Sequence, residues 1–437
     1  MTSRDSGLSY SGEGTTVSFG PLRAGAGRAE VLLPASLFPV DGFTGIHDSL
    51  HVRVLVLDDA VTRLAVAVLD QTSILDDQLA RAQSILRDVT EVDPAHALII
   101  ASHTFSAPHI RPESVVPEAE RDKNSALAAA FDDALAEAAA RAVNRLRPAR
   151  TGFATGHCRA NVQRDVPTPH GWWLGADDGG PVDDSVGVLR VDGPDEQPLA
   201  LLVNYAVQSS VMNGSRTRRG DRQVTADLAG ATVRLLEQRY AAHGTVVLFL
   251  VGAAGDQAPF MTAVRSSTTA DSRLVHTDLG EQGHFLVELL GERLADEVAR
   301  VTERTVTGPL TVPLKVKVDE VEVPAQVAPA GLESLRPCHS YEFRPAGTSH
   351  APVVLVRVGA TAFVGVQAEL TVRTSLALKA VSTFAATCVI TMVNGAAKYM
   401  ADATAYDRIT YAAMNSRYAR GAAEAVSTRI ERLLREL

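Results

Sequence analysis

The chain is poor in cysteine, in aromatic residues and in clustered charge, and each shortage removes a class of protein. Its three cysteines, Cys158, Cys338 and Cys388, are widely separated and odd in number, which argues against a disulfide framework. No CxxC pair suggests a structural zinc site, and no HExxH or HxH pair suggests a helical one. Aromatic residues make up 5% of the 437 residues, so alanine, valine and leucine must carry the core. The net charge of −9 is dispersed, and no basic patch with interleaved aromatics offers nucleic acid a footprint. The one basic cluster, Arg216-Thr217-Arg218-Arg219, reads as a solvated loop. No apolar run approaches a membrane span, and residues 1–20 lack the apolar stretch of a secretory signal. The expectation is a soluble, cytoplasmic protein that acts on a small molecule, without a membrane or nucleic-acid partner and with its oligomeric state left open.

What is present is an ordinary globular share of apolar residues, 46%, enough to bury a large core without staples. Residues 1–20 read as a flexible arm, and residues 21–437 as one large α/β domain. Apolar, β-branched runs predict strands at residues 50–57, 64–69, 97–101, 186–191, 201–207, 245–251, 353–358, 361–366 and 388–392. Alternation over residues 310–323 predicts a half-buried strand. Helical spacing covers residues 76–87, 125–146, 226–239, 280–302, 370–381 and 421–435, with Asp227 read as an N-cap. Residues 167–184, rich in Pro, Gly and Asp around Trp172-Trp173, read as a long surface loop. The fold class is α/β, with mixed β-sheets flanked by helices.

The chemistry concentrates where strands stop. Residues 97–101 run into Ser102-His103-Thr104-Phe105-Ser106-Ala107-Pro108-His109, so a strand end delivers imidazoles and hydroxyls, as open α/β sheets do. Four more runs end alike: at Gln208-Ser209-Ser210, at Gly252-Ala253-Ala254-Gly255-Asp256, at Gln367-Ala368-Glu369 and at Asn394 to Tyr399. The glycine turn lacks the Lys-Ser/Thr of a phosphate loop and reads as tight packing. Singly, Glu369 is a helix-starting acid and Tyr399 a half-buried aromatic. Together the runs suggest one rim carrying His, Gln, Asp, Glu and Tyr, a donor set that suits zinc.

These blocks resemble the catalytic domain of the neutral/alkaline, non-lysosomal ceramidases. Residues 24–30 (Ala-Gly-Ala-Gly-Arg-Ala-Glu) and 45–50 (Gly-Ile-His-Asp-Ser-Leu) are similar to that family's opening blocks. His103-Thr104-Phe105-Ser106-Ala107-Pro108 resembles its His-Thr-His-Ser-Gly-Pro. Residues 183–191, Asn204 to Gln208, Thr225 to Gly230 and the glycine turn follow in the family's order. The resemblance implies a mixed α/β catalytic domain in which zinc polarises an amide carbonyl and activates water. It places the metal on His103, Glu369, Tyr399 and, where relatives carry a second histidine, Gln208. Catalytic roles would fall to Tyr399, Asp256 and Ser106, and substrate contacts to Phe105, His109 and Arg164, with His109 a stand-in ligand.

The sequence departs from the pattern at Gln208, where an amide is a weaker zinc donor than imidazole. It departs again at Phe105, in place of the motif's second histidine, and at Ala258, where relatives have serine. The chain leaves little room after Tyr399 for the C-terminal β-domain of ceramidases. The expectation is therefore a zinc-dependent amidohydrolase-like enzyme cleaving the C–N bond of a small soluble substrate rather than ceramide, with one loosely held Zn2+ per chain. Two alternatives stand beside it: an altered enzyme that forms or rearranges an acyl bond in a biosynthetic pathway, and a non-catalytic binding protein on the same scaffold.

Overall fold

The computed structural model describes residues 20–268 and 274–437, so all but the last residue of the expected N-terminal arm lies outside the described residues. One topology occurs three times along the chain. In the first unit, strands Arg23–Glu30, His51–Asp58 and Arg63–Leu69 pair antiparallel in succession. Helix Asp76–Thr90 then crosses to the strand Ala97–Ala101, which pairs parallel to the third. The second unit repeats this with Arg150–His157, Ser185–Asp192, Pro198–Tyr205, helix Asp227–Arg239 and the parallel strand Val246–Val251. The third has Leu314–Gln326, Pro345–Val358, Thr361–Val366, helix Val372–Val381 and the parallel strand Ala386–Ile390. Each unit closes with a longer helix: Arg121–Asn144, Gly283–Arg304 and Ala422–Glu436.

Strand alternation explains the packing. In His51–Asp58, Leu55 and Leu57 turn to a central core shared with Leu202 and Leu250 of the second sheet and Val356 and Phe363 of the third. Val54 and Val56 turn the other way, under Leu86, Leu127 and Phe131 of the first unit's two helices. The second and third sheets are likewise backed by their own helices. Sheets covered on both faces need near-continuous apolar strands, and every residue of Val246–Val251 is buried. Helix Arg121–Asn144 lies so close on the first strand that a Cβ on Gly27 would stand 2.2 Å from the Ala138 carbonyl. The Gly-Ala-Gly of residues 25–27 is thus a packing requirement.

Three sequence expectations change. Residues 167–184 are not one loop: Asn161–Thr168 and Gly171–Asp177 form an antiparallel hairpin, with Val166 paired to Trp173 and Gly171 at φ +125° in its turn. The alternating strand begins at Leu314 rather than residue 310, and its partner begins at Pro345 rather than residue 353. The first half of that partner, Pro345 to His350, is polar and mostly exposed, so its pairing with residues 322–326 rather than its own burial holds it extended. The small-residue strands Arg23–Glu30 and Arg150–His157 are sheet members that carry little strand signal of their own. All three cysteines are free. Among the described residues, no helix is long and apolar enough to cross a membrane.

Candidate functional site

The three-fold repetition brings equivalent positions together. Three residues beyond the third strand of each unit, after Leu69, Tyr205 and Val366, stand Thr72, Gln208 and Glu369. The turns leaving the first two strands are alike: Gln71 N donates to Leu69 O at 2.8 Å and Val207 N to Tyr205 O at 3.1 Å. His103 meets these corners from the end of Ala97–Ala101. Its backbone is left-handed, φ 61°, a conformation uncommon outside glycine, and Thr104 bridges to Ser209 just after it. The Thr72 carbonyl can only accept, so His103 Nδ1 donates to it at 2.6 Å. That turns Nε2 toward Glu369 Oε2, 3.2 Å away, without a well-aligned hydrogen bond.

Gln208 links this pair to a guanidinium. Its Nε2 donates to Glu369 Oε2 at 2.6 Å, and its Oε1 accepts from Arg164 Nη1 at 2.8 Å. Arg164, on the hairpin strand Asn161–Thr168, also donates Nη2 to the Gly255 carbonyl at 2.6 Å. Its guanidinium lies 5.1 Å from the Tyr399 ring centre and 5.8 Å from that of Tyr411. Tyr399 is the parallel register partner of Glu369. The glycine turn closes the site: Gly255 N donates to Leu370 O at 2.9 Å, and a Cβ there would stand 2.8 Å from the same oxygen.

All five side chains are buried, and their charges are mutually adjusted. Burial would push the Glu369 carboxyl up, but His103, then Arg164 and Gln208, hold it below the usual carboxylate range. Burial likewise disfavours charged His103, yet the Glu369 carboxylate and the Thr72 carbonyl raise its pKa. Burial pushes the Tyr399 phenol up to about 12 against the pull of Arg164, so it keeps its proton at neutral pH. Arg164 stays charged, because Tyr399 and Glu369 outweigh its desolvation.

The other expected residues are placed less centrally. Phe105 packs edge-on against the His103 ring at 4.8 Å. Asp256 stands behind Arg164: its carboxylate accepts from Gln163 Nε2 at 2.9 Å and from Val372 N at 2.8 Å, and its carbonyl accepts from Arg164 N. Ser106 is buried beside Met212, Arg216, Arg222 and His284, at a small cavity apart from the cluster. His109 is corrected as a stand-in ligand. Half-exposed, it faces Asp41, whose carboxylate lies 3.4 Å from its Nδ1 and also accepts its backbone N–H. Its contacts are with Asp41 rather than with the His103 cluster. Asp227 is corrected too. It stands at φ 54° as the first residue of the helix, after Ala226 at the N-cap, and its carboxylate accepts from Val211 N and Met212 N, both at 2.9 Å, as well as from Leu228 N at 2.7 Å.

Three residues escaped the sequence reading. Thr72 acts through a backbone carbonyl, which no side-chain pattern reveals. Tyr411 packs at 5.9 Å from Tyr399 and at 5.6 Å from Trp173. Asp165 follows Arg164 directly and is buried, and neither carboxylate oxygen has a hydrogen-bond partner among the described residues. Burial, with Asp256 nearby, pushes its pKa up to about 7. The charged doublet Arg164-Asp165 inside a strand was the available signal.

The residues present do not fit the zinc that the resemblance implies. Arg164 can only donate, so the Gln208 atom facing it is the amide oxygen, and the NH2 group faces Glu369 where a metal would need a lone pair. Among the described residues, no group of three His, Cys, Asp or Glu side chains could hold a metal ion.

No family model and no curated protein matches the chain. Solved structures do. The neutral ceramidase from Pseudomonas aeruginosa superposes with a TM-score of 0.73 at 16% identity, over 96% of this chain and 75% of that one. A ceramidase complexed with C2 superposes with a TM-score of 0.69 at 16% identity, over 94% of this chain and 74% of that one. The chain has a divergent neutral-ceramidase-like fold, the mixed α/β architecture of the ceramidase catalytic domain.

Proposed function

We propose that the chain is an enzyme of the amide-hydrolase type that cleaves the C–N bond of a small, water-soluble amide. One observation carries the reading: the continuous contact chain Arg164–Gln208–Glu369–His103 beside Tyr399, assembled from all three units in a buried setting. Hydrolysis needs a base for water and a donor set for the oxygen that becomes negative. His103, oriented through Thr72, accepts the proton on Nε2 from its neutral ring, and Glu369 stabilises the imidazolium that results. Arg164 and the Tyr399 hydroxyl are fixed donors for the developing oxyanion. Water oxygen bonds to the carbonyl carbon, the C–N bond breaks, and the proton passes to the departing amine. The half-buried rings of Phe105, Tyr411 and Trp173 form the shell around the centre.

The test is amine release from a panel of short N-acyl amines, with long-chain ceramide in detergent alongside. Turnover of soluble amides, lost in Glu369→Gln, is expected. Preferred turnover of ceramide overturns the substrate class, and folded protein inert toward every amide overturns the reaction. One observation favours a second reading, acyl transfer: Arg164, the most exposed of the five, is only 7% exposed, so an amine acceptor competes well against water there. Acyl-hydroxamate formed in the presence of hydroxylamine would distinguish it.

A further inference from the structure

We propose that this site keeps no resident metal, and that Gln208 locks the Arg164 guanidinium onto Glu369 as the cation of the cluster. The inference takes the position of the reacting centre from the proposed function, but its own evidence is the polarity of one amide. Gln208 is buried between a group that can only donate and a carboxylate that accepts. Its orientation is therefore set twice, once from each side, and both settings agree. Reversing the amide to offer oxygen to a metal would place NH2 against the guanidinium at 2.8 Å and carbonyl oxygen against carboxylate oxygen at 2.6 Å. Two attractions would become two repulsions in a setting with little water to screen them.

Arg164 is equally committed. Its second nitrogen is held by the Gly255 carbonyl, on the turn that is itself tied to Leu370, so the guanidinium cannot withdraw without loosening the backbone beside Glu369. A dication bound to Glu369 would sit against a fixed positive charge, while the one neutral donor able to bridge them points hydrogens at it. His103 and Glu369 remain as conventional ligands, and the three protein ligands of a catalytic zinc site are reached only if the Tyr399 phenol is counted.

The experiment measures metal rather than activity. The protein is expressed in zinc-supplemented medium, desalted, and assayed for metal by elemental analysis, then titrated with zinc against a chromophoric competitor. Wild type is expected to carry below about 0.1 zinc per chain, and its melting temperature to be unmoved by EDTA or by added zinc. Gln208→His, which supplies imidazole and releases the lock, is expected to bind zinc at least about 100-fold more tightly. One EDTA-resistant zinc per wild-type chain, or a melting shift of several degrees with zinc, overturns the inference. Equal zinc binding by wild type and Gln208→His overturns the role given to Gln208. The wild-type measurements stand even where the variant fails to fold. An inactive but zinc-free wild type would leave the inference intact and strike only the proposed function.

Discussion

Gln208 and Glu369 occupy equivalent positions in successive units and meet side chain to side chain, Gln208 Nε2 donating to Glu369 Oε2 at 2.6 Å. The third equivalent residue, Thr72, reaches the same cluster through its carbonyl, which orients His103. A three-fold repeated topology thus places one contributor from each unit at the strand ends. The units differ so that one gives a carbonyl, one an amide and one a carboxylate.

Removing the charge of that carboxylate should separate chemistry from folding. Glu369→Gln keeps the shape of the side chain, so near-normal circular dichroism is expected, with kcat lowered by about 10²–10⁴-fold. His103→Ala should give a loss of similar size, and the double variant should lose little more, because the two act as one unit. Additive losses on a stopped-assay comparison would count against a shared role.

Arg164→Lys is expected to behave as a disruptive change. A lysine ammonium cannot reach Gln208 Oε1 and Gly255 O in the forked geometry that Arg164 holds. Breaking this buried arrangement should cost about 3 kcal/mol of stability, read as a lower urea midpoint, together with most of the activity. An unchanged midpoint would show that the hydrogen bonds are not holding the cluster.

Asp165 gives a pH signature. Its pKa is raised from 3.8 to about 7 in the folded protein, so between those values the folded state holds a proton that the unfolded chain releases. Stability contributed by this group therefore falls as pH rises through that window. Asp165→Asn removes the ionisation, and should stabilise the protein at pH 8 by up to about 4 kcal/mol while changing it little at pH 4. Urea unfolding at both pH values measures the difference. An equal effect at the two would mean that the carboxyl is not buried uncharged.

Gly27→Ala tests the packing of the first unit. The added methyl would meet the Ala138 carbonyl at 2.2 Å, on a helix and a strand that are both backbone at the contact. A loss of about 1–3 kcal/mol in thermal or urea unfolding is expected. A control at Gly45, whose Cβ would meet nothing within 4 Å, should change little.

Much of the architecture was legible in the chain because its sheets are covered on both faces. Strands such as Val246–Val251 and helices such as Val372–Val381 announce themselves through unbroken or periodic apolar residues. The hairpin Asn161–Thr168 with Gly171–Asp177 was hidden, because its turn residues resemble those of an unstructured loop and its pairing is what keeps it extended. The three-fold repetition was equally hidden. Each unit conserves topology while differing in length and side chains, so no sequence period survives.

By itself the sequence determined the apolar core strands and the main helices, the block resemblance to ceramidases and the departure at Gln208, since these depend on local composition and order. Only the tertiary structure decided which strand ends converge, that His109 faces Asp41 while His103 faces Glu369, and which way the Gln208 amide points. The physical reason is that an amide carries a donor and an acceptor on one side chain. Its chemical role is set by the charges on either side of it, and those charges, Arg164 and Glu369, arrive from segments far apart in the chain.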